Sequence, residues 1–398
     1  MKVLLPVRTI FKPSTLSLVT VLMSFAAWSF PTFDGEIDKG FHHPEKLDLT
    51  SFVILSCWYL LIFVSLTLGQ KVGGLRLLKN GEVRNDTLSL ESNTVYYCLT
   101  LLSTVGISTM LVMIFRYLSL QEAFLAISLG ETNALKNSIY DNGDYSIGLV
   151  SLRYLILYPS SLALYRIIRL KSYSLINIFN VFMLVLFIFL SSRLMFIAAF
   201  MTTAFLLTFG KPSIKVSIPK LVISIGLVFF FLSILNVSRN ADFYGQQHKS
   251  FAVAGLSEIL RYLGSPFQAA IGSASITDRL AAGDSYRNHV DIMEELNTNS
   301  AFVLLYEQMG NFCWGYIALI CFFMGFVFEK LLSLGKTIFL LPCGAILYGT
   351  AELWRLDLYH QGTFIVWFIF GIGIPFLVIF TRHLRNFIGK VPRIPVKP

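Results

Sequence analysis

Ten long apolar runs, spread along the whole chain, limit the folds that this sequence can adopt. A helix needs about 20 apolar residues to cross a bilayer core, and each run is close to that length. In lipid every backbone N–H and C=O group needs a partner, which a helix supplies within one segment. The sequence therefore predicts an all-α polytopic membrane protein of about ten transmembrane helices. The predicted spans are residues 14–33, 51–70, 94–115, 147–168, 175–192, 193–210, 218–236, 311–329, 337–354 and 362–381.

The run over residues 175–210 is counted as two spans. As a single helix it would be about 54 Å long, too long for one crossing. The polar triplet Ser191, Ser192 and Arg193 interrupts it near its middle. We therefore expect a tight hairpin there, with Arg193 at its tip.

The distribution of basic residues predicts the orientation of the spans. Most of the 32 Lys and Arg residues lie in the termini and in alternate short connections, which the positive-inside rule places in the cytoplasm. This accounts for the net charge of +9 without a nucleic-acid partner. We expect a multi-pass protein with both termini cytoplasmic. It would form one membrane domain, residues 1–398, ending in a basic cytoplasmic tail at 382–398.

The same orientation predicts a large loop on the outer side, residues 237–310, between spans seven and eight. Long loops are commonly functional, and this one contains helical patterning. In "FAVAGLSEILRYL" (251–263) the apolar residues fall largely on one helix face. The following "GSP" is expected to break the helix. The loop would therefore hold short amphipathic helices at the outer interface, capping a cavity in the bundle.

Several arginines are predicted to lie on the outer side, where basic residues are scarce. Arginine binds phosphate oxygens in pairs and stays charged at every accessible pH, and a charge within a span marks a functional or paired structural role. One reading is local pairing, of Arg355 with Glu352 or Asp357, and of Arg239 with Asp242. The other is a site for a lipid-linked diphosphate. It would use Arg239 as a catalytic residue and Arg153, Arg193, Arg261 and Arg355 for binding.

The residues that usually hold a metal ion do not form a recognisable pattern. The sequence has no Asp-x-Asp pair, and all five cysteines fall within apolar runs, where we expect them to be buried. We predict no metal and no cofactor. The carboxylates Glu307 and Asp242 are the predicted catalytic acids or bases, since a carboxylate at the interface can take a proton from a sugar hydroxyl. The predicted sugar-binding residues are Tyr262, His248, His289, Trp354 and Tyr359.

Four stretches resemble the Wzy-type polymerases that assemble O-antigens and related bacterial surface polysaccharides. They are "SSRLMFIAAF", "SRNADFY", "RYLGSPFQAA" and "TNSAFVLLYEQMGNFCWGYIALICFFMGF". Where that family often has Asp-x-Gly-x-x-Gly, this chain has Glu307, Gly310 and Gly315. The resemblance covers most of the chain from about residue 94 on and implies a GT-C-like architecture.

The resemblance also implies an activity. A metal-independent glycosyltransferase would join repeat units carried on polyprenyl diphosphate, at the periplasmic face of a bacterial inner membrane. Residues 237–310 would then form a large periplasmic loop. Its partners would be the lipid-linked oligosaccharide, membrane lipids, a chain-length regulator and a flippase. Three other functions stay open at this point: an O-antigen ligase, which usually has a functional histidine; a polysaccharide transporter or flippase; and a membrane sugar acyltransferase. A transporter would normally show internal symmetry, which we do not find.

Overall fold

Helices dominate the computed structural model. It describes residues 2–5, 7–33, 36–43, 48–75, 90, 92–119, 121–122, 125, 147–190, 194–209, 214–217, 219, 223, 226–227, 230, 233–234, 250–292 and 299–388. Its α-helices are α1 (Val7–Ile10), α2 (Pro13–Ser29), α3 (Leu49–Gly74), α4 (Asn93–Tyr117), α5 (Ile147–Val150), α6 (Leu157–Leu170), α7 (Leu175–Leu190), α8 (Leu194–Thr208), α9 (Phe251–Ser273), α10 (Thr277–Ala281), α11 (Ala301–Met309), α12 (Phe312–Ser333), α13 (Leu340–Glu352) and α14 (Gly362–Ile388). Short 3-10 turns cover Ser151–Ile156, Ala274–Ile276, Tyr286–Asn288, Thr337–Phe339 and Leu358–His360.

Four of these helices, α3, α4, α12 and α14, are long and apolar enough to cross a membrane. The helices α2, α7 and α8, and α13 with the turn before it, are apolar but shorter. The predicted helical membrane protein is therefore confirmed at this level. The predicted seventh span, residues 218–236, falls mostly outside the described residues.

Close backbone contact joins α3 and α12. A Cβ atom on Gly69 would lie 2.0 Å from the Phe322 carbonyl oxygen, and one on Gly325 would lie 2.4 Å from the Leu66 carbonyl oxygen. Small residues allow this approach, which drives helix association where lipid removes the hydrophobic effect. This packing holds α12 against α3, and it positions α11, which directly precedes α12 in the sequence.

The predicted fourth span is not one continuous α-helix. The 3-10 turn Ser151–Ile156 separates α5 from α6. Pro159 lies in the first turn of α6, where its missing N–H costs least; farther inside a helix it would leave the Leu155 carbonyl without its donor. The predicted span therefore contains three consecutive helical segments rather than one regular α-helix.

The predicted break at "GSP" is also wrong, because α9 runs through Gly264, Ser265 and Pro266 as one helix. Pro266 has no N–H for the Tyr262 carbonyl, while the Ser265 hydroxyl donates to the Arg261 carbonyl at 2.7 Å. Gly264 lets α9 lie against α2, since a Cβ there would be 3.2 Å from the Trp28 backbone nitrogen. Tertiary packing outweighs the local breaking signal.

Helices α7 and α8 confirm the division of the run 175–210 into two helices. One feature was not predicted: strands β1 (Lys2–Leu5) and β2 (Ile214–Ser217) pair antiparallel.

Cysteine burial is only partly as expected. Cys313, Cys321 and Cys343 are buried, whereas Cys57 and Cys98 are exposed on the sides of α3 and α4.

Candidate functional site

Three of the predicted site residues meet where α13 ends. Arg355 and Trp354 follow the last turn of α13, and both contact Tyr262 in the middle of α9. The Arg355 guanidinium carbon is 4.9 Å from the centre of the Tyr262 ring, within range of a cation–π contact. The Tyr262 and Trp354 rings are 6.0 Å apart, edge to face. The structure thus brings together a predicted diphosphate-binding arginine and two predicted sugar-binding aromatics.

Glu352 neutralises Arg355 in this position. Its Oε2 atom accepts hydrogen bonds from Nε of Arg355 at 3.0 Å and from Nη2 at 2.7 Å. Both residues are buried, with 8% of Arg355 and 5% of Glu352 exposed. The pairing of Arg355 with Glu352, one of the alternatives from the sequence, is confirmed. The pair carries no net charge.

Two tyrosine hydroxyls beside this pair are buried without a hydrogen bond. They belong to Tyr262 and Tyr348, and neither has a partner in the part of the chain that the structure describes. The Tyr348 hydroxyl lies beside the Glu352 carboxylate and interacts with it, although the two atoms do not have the distance and angle of a regular hydrogen bond. Most buried polar groups in proteins are hydrogen-bonded, so two unpaired hydroxyls in one place require an explanation. We call Tyr262, Tyr348, Glu352, Trp354 and Arg355 the Arg355 cluster.

Sequence reasoning did not assign Tyr348 to a site, although a signal was present. Tyr348, Glu352 and Arg355 are separated by four and three residues, a spacing that places side chains on one face of a helix. Gly349, which directly follows Tyr348, does not face the cluster, since a Cβ atom there would lie 2.6 Å from the Tyr359 ring. The helical spacing alone could therefore have grouped Tyr348 with the ion pair.

Arg261 lies one residue from Tyr262 and has different partners. It pairs with Asp38 through Nη2 and donates from Nε to the Asp38 carbonyl at 3.2 Å. Its Nη1 atom is 3.6 Å from a Glu258 carboxylate oxygen. The arginine is 6% exposed. This group, the Arg261 cluster, therefore contains one positive and two negative charges and ties the segment 36–43 to α9.

Arg153 is fully buried in the 3-10 turn before α6. Its Nη2 atom donates to the Tyr154 hydroxyl at 3.0 Å. Trp367 of α14 connects this turn with the Arg355 cluster: its Nε1 donates to the Tyr154 carbonyl at 2.7 Å, and its ring is 6.1 Å from that of Tyr348. Arg153 thus lies on a segment that contacts the cluster through Trp367.

The predicted catalytic Glu307 lies near the end of α11, half-buried, just before a turn at Gly310 with φ of +54°. Its Oε1 atom accepts a hydrogen bond from the Tyr286 backbone at 3.2 Å. Its second carboxylate oxygen forms no hydrogen bond with the described residues. Among the described residues, no three His, Cys, Asp or Glu side chains are grouped so that they could hold a metal ion.

The predicted sugar-binding His289 directly follows the 3-10 turn Tyr286–Asn288. Its Nε2 atom is 2.6 Å from Oδ2 of Asp284. The hydrogen bond from His289, with a second from Asn288, holds the pKa of the Asp284 carboxyl below its usual value. A carboxylate bonded to one ring nitrogen orients the imidazole and determines which nitrogen carries the proton.

The hydroxyl of predicted sugar-binding Tyr359 is used within the protein, where it bonds to Thr350 and to the Ile346 carbonyl. Nearby Asp357 accepts from the Tyr316 hydroxyl at 2.8 Å and from the Tyr359 backbone at 3.0 Å. Burial raises the pKa of the Asp357 carboxyl. Tyr359 and Asp357 thus form a hydrogen-bonded group beside, rather than within, the Arg355 cluster.

Lys39 lies in the polar segment between the first two predicted spans, yet it is only 2% exposed. Its Nζ donates to the carbonyls of Trp28 and Phe30 and contacts Nε2 of His43, each at 2.8 Å. These carbonyls lie at the end of α2, where the helix dipole favours a cation.

Four predicted site residues, Arg193, Arg239, Asp242 and His248, lie outside the described residues.

Comparison of the chain with protein-family models, with curated proteins and with solved structures gives no match.

Proposed function

We propose that the chain is a polymerase of lipid-linked oligosaccharide repeat units, of the Wzy type. The Arg355 cluster carries the proposal. A buried arginine, a carboxylate, an aromatic face and two hydroxyls without a hydrogen bond to the described residues converge at the end of an apolar helix, beside α9 from the large polar loop. Convergent polar groups among aromatic side chains are typical of ligand sites, and ionisable groups within membrane helices mark functional sites by default.

The proposed topology has ten spans, both termini in the cytoplasm of a bacterial cell, and residues 237–310 in the periplasm. In this arrangement α9 and the Arg355 cluster lie at the periplasmic end of the bundle. A reporter that is active only in the periplasm, fused after Ser285, should then be active. The same reporter fused after Arg382 should be inactive, and the reverse pattern would contradict the topology.

In the proposed reaction, a hydroxyl oxygen of the acceptor sugar forms a bond to the anomeric carbon of the growing chain. The bond from that carbon to the diphosphate oxygen breaks, and polyprenyl diphosphate leaves with the electron pair. The hydroxyl proton passes to a carboxylate, for which Glu307 and Asp242 are the candidates. Arg239 and Arg193 are the proposed partners of the charge that develops on the diphosphate. Holding both lipids in the bundle supplies much of the rate by orientation.

The test is a surface-polysaccharide gel of cells lacking this gene and of cells complemented with variants. Deletion should leave core with a single repeat unit and no ladder. Arg239→Ala should reduce polymer about a hundredfold or more, the usual effect of removing a transition-state donor. The control is Arg169→Ala. Arg169 is exposed and lies at the C-terminal end of α6, so cells complemented with this variant should show the full ladder. An unchanged ladder in the deletion would refute the proposal.

The His289–Asp284 pair favours a second candidate, a ligase that transfers finished polymer from the same carrier. An oriented imidazole can take the proton of an acceptor hydroxyl, and Nδ1 of His289 has no hydrogen bond within the described chain. The same gel separates the two. A ligase deletion leaves core without any unit while long polymer still accumulates on the carrier.

A further inference from the structure

We propose that the Arg355 cluster binds an uncharged sugar of the lipid-linked unit, rather than the diphosphate. This inference rests on the proposed function and assigns a part of the substrate to a particular place in the fold. The cluster consists of Tyr262, Tyr348, Glu352, Trp354 and Arg355, contributed by α9 and by the end of α13.

The charges of the cluster select against an anion. Glu352 holds Nε and Nη2 of Arg355 through a single carboxylate oxygen, so a diphosphate that approached Arg355 would meet a carboxylate within a few ångströms. Like charges at that distance repel strongly where water is scarce. A sugar hydroxyl, in contrast, is neutral. It can donate to a carboxylate and accept from an arginine at the same time.

The unpaired donors of the cluster match a polyhydroxylated ligand. The hydroxyls of Tyr262 and Tyr348 form no hydrogen bond with the described residues. Nη1 of Arg355 also forms no hydrogen bond with the described residues, since the two hydrogen bonds of this guanidinium use Nε and Nη2. A site that leaves polar groups unpaired discriminates strongly in favour of a ligand that pairs them. The two hydroxyls can each donate to one sugar oxygen and accept from another.

The aromatic members supply the apolar surface that a sugar ring requires. Trp354 and Tyr262 meet edge to face, and Trp354 is buried beside the ion pair. Aromatic side chains with a polar tip combine apolar contact with a directed hydrogen bond. The cluster therefore has the composition of a carbohydrate site: apolar ring faces, a neutral ion pair and hydroxyl groups.

The experiment compares two lipids on the purified full-length protein in nanodiscs. One is the polyprenyl-diphosphate-linked unit extracted from cells that lack this gene, and the other is polyprenyl diphosphate without sugar. The test variant is Tyr348→Phe, which removes one unpaired hydroxyl and nothing else. We expect it to bind the sugar-bearing lipid about three- to tenfold more weakly, the loss of one hydrogen bond. Its affinity for the bare lipid should be unchanged, and its melting temperature should not fall.

The matched control is Tyr158→Phe. Tyr158 is as deeply buried as Tyr348, but its hydroxyl donates to the Trp367 carbonyl at 2.8 Å. This variant should lose thermal stability and keep the wild-type ratio of the two affinities. Tyr262→Phe should repeat the behaviour of Tyr348→Phe.

Three outcomes would overturn the inference. If Tyr348→Phe raises the melting temperature and leaves both affinities unchanged, the unpaired hydroxyls have no role in binding. If both lipids bind more weakly by the same factor, the cluster contacts the part that they share. If the wild-type protein binds neither lipid and makes no polymer, the proposed function fails, and the inference with it. The first two outcomes, obtained with an active wild type, leave the proposed function intact.

Discussion

The Arg261 cluster and the Arg355 cluster contain two arginines with similar burial and different surroundings. Arg261 joins segments that are far apart in the sequence, since its carboxylate partner Asp38 lies 223 residues away. Arg355 pairs with Glu352 only three residues away. The first has more negative than positive charge, whereas the second is neutral and has unpaired hydroxyls beside it.

This difference separates an arginine that joins distant segments from one that is available for the binding site proposed above. An ion pair across distant segments stabilises one arrangement of the chain, because breaking it leaves buried charge behind. A pair within one helical turn adds little to the tertiary structure. Unpaired polar groups beside it lower stability and are retained where binding requires them.

The largest expected effect is the loss of stability in Arg261→Ala. The substitution leaves Asp38 and Glu258 near each other without a cation and releases the segment 36–43 from α9. Breaking a buried pair from one side costs about 3 kcal/mol. The melting temperature in detergent should fall far more than for the exposed control Arg169→Ala. A wild-type melting temperature would show that Arg261 does not hold this segment in place.

The second prediction concerns Glu352→Gln. The amide keeps a hydrogen-bond acceptor for Arg355 but removes the neutralising charge, so the site should become attractive to anions. We expect affinity for polyprenyl diphosphate without sugar to rise about tenfold, an effect of one charge at short range. In Glu258→Gln the same charge is lost, but Arg261 keeps Asp38, so affinity should change less than about twofold. Equal gains in both variants would mean that only net charge matters.

The third prediction separates the two carboxylates of the Arg261 cluster. Asp38 makes the shorter contact and belongs to the distant segment, while Glu258 lies one turn away on α9. Asp38→Asn should cost about 1 kcal/mol, and Glu258→Gln about 0.3 kcal/mol, typical of a pair within one helix. Thermal denaturation of both variants tests this order, and the reverse order would assign the stabilising contact to α9 alone.

The smallest expected effect is a pH dependence from the segment that Arg261 holds. Burial, and the charge of Lys39 at 2.8 Å, lower the pKa of His43. Since the unfolded chain binds this proton more readily, stability should fall as the pH drops below the ordinary histidine value of about 6.5. His43 is largely exposed, so we expect a change in melting temperature of no more than about 2 °C. In His43→Gln this pH dependence should disappear.

The apolar pattern was sufficient to predict most helices. Helices α3, α4, α12 and α14 begin close to the predicted bounds, because runs of this length have few other ways to satisfy their backbone. They extend beyond the predicted ends, and α14 continues to Ile388, into the segment predicted to be a cytoplasmic tail. The pattern failed where a local signal competed with packing. Pro266 did not end α9, which packs along α2, and part of the span expected over 147–168, Ser151–Ile156, is 3-10 rather than α-helical.

Side-chain partners were harder to predict than helices. The sequence contained the correct partner for Arg355, because Glu352 is three residues away and helical spacing makes the two neighbours. It could not indicate that Asp38 pairs with Arg261, or that Lys39 is buried at the end of α2. Such contacts depend on how segments far apart in the sequence are brought together.

By itself, the sequence determined that this chain is a helical membrane protein, since the length of its apolar runs leaves few alternatives in lipid. It also determined which residues could carry charge into the bundle. Only the tertiary structure decided how those charges are used: Arg261 among carboxylates from two segments, Arg355 in a neutral pair beside two unpaired hydroxyls. The physical reason is that an arginine's role depends on the groups within a few ångströms of it, and the packing of distant helices places those groups there.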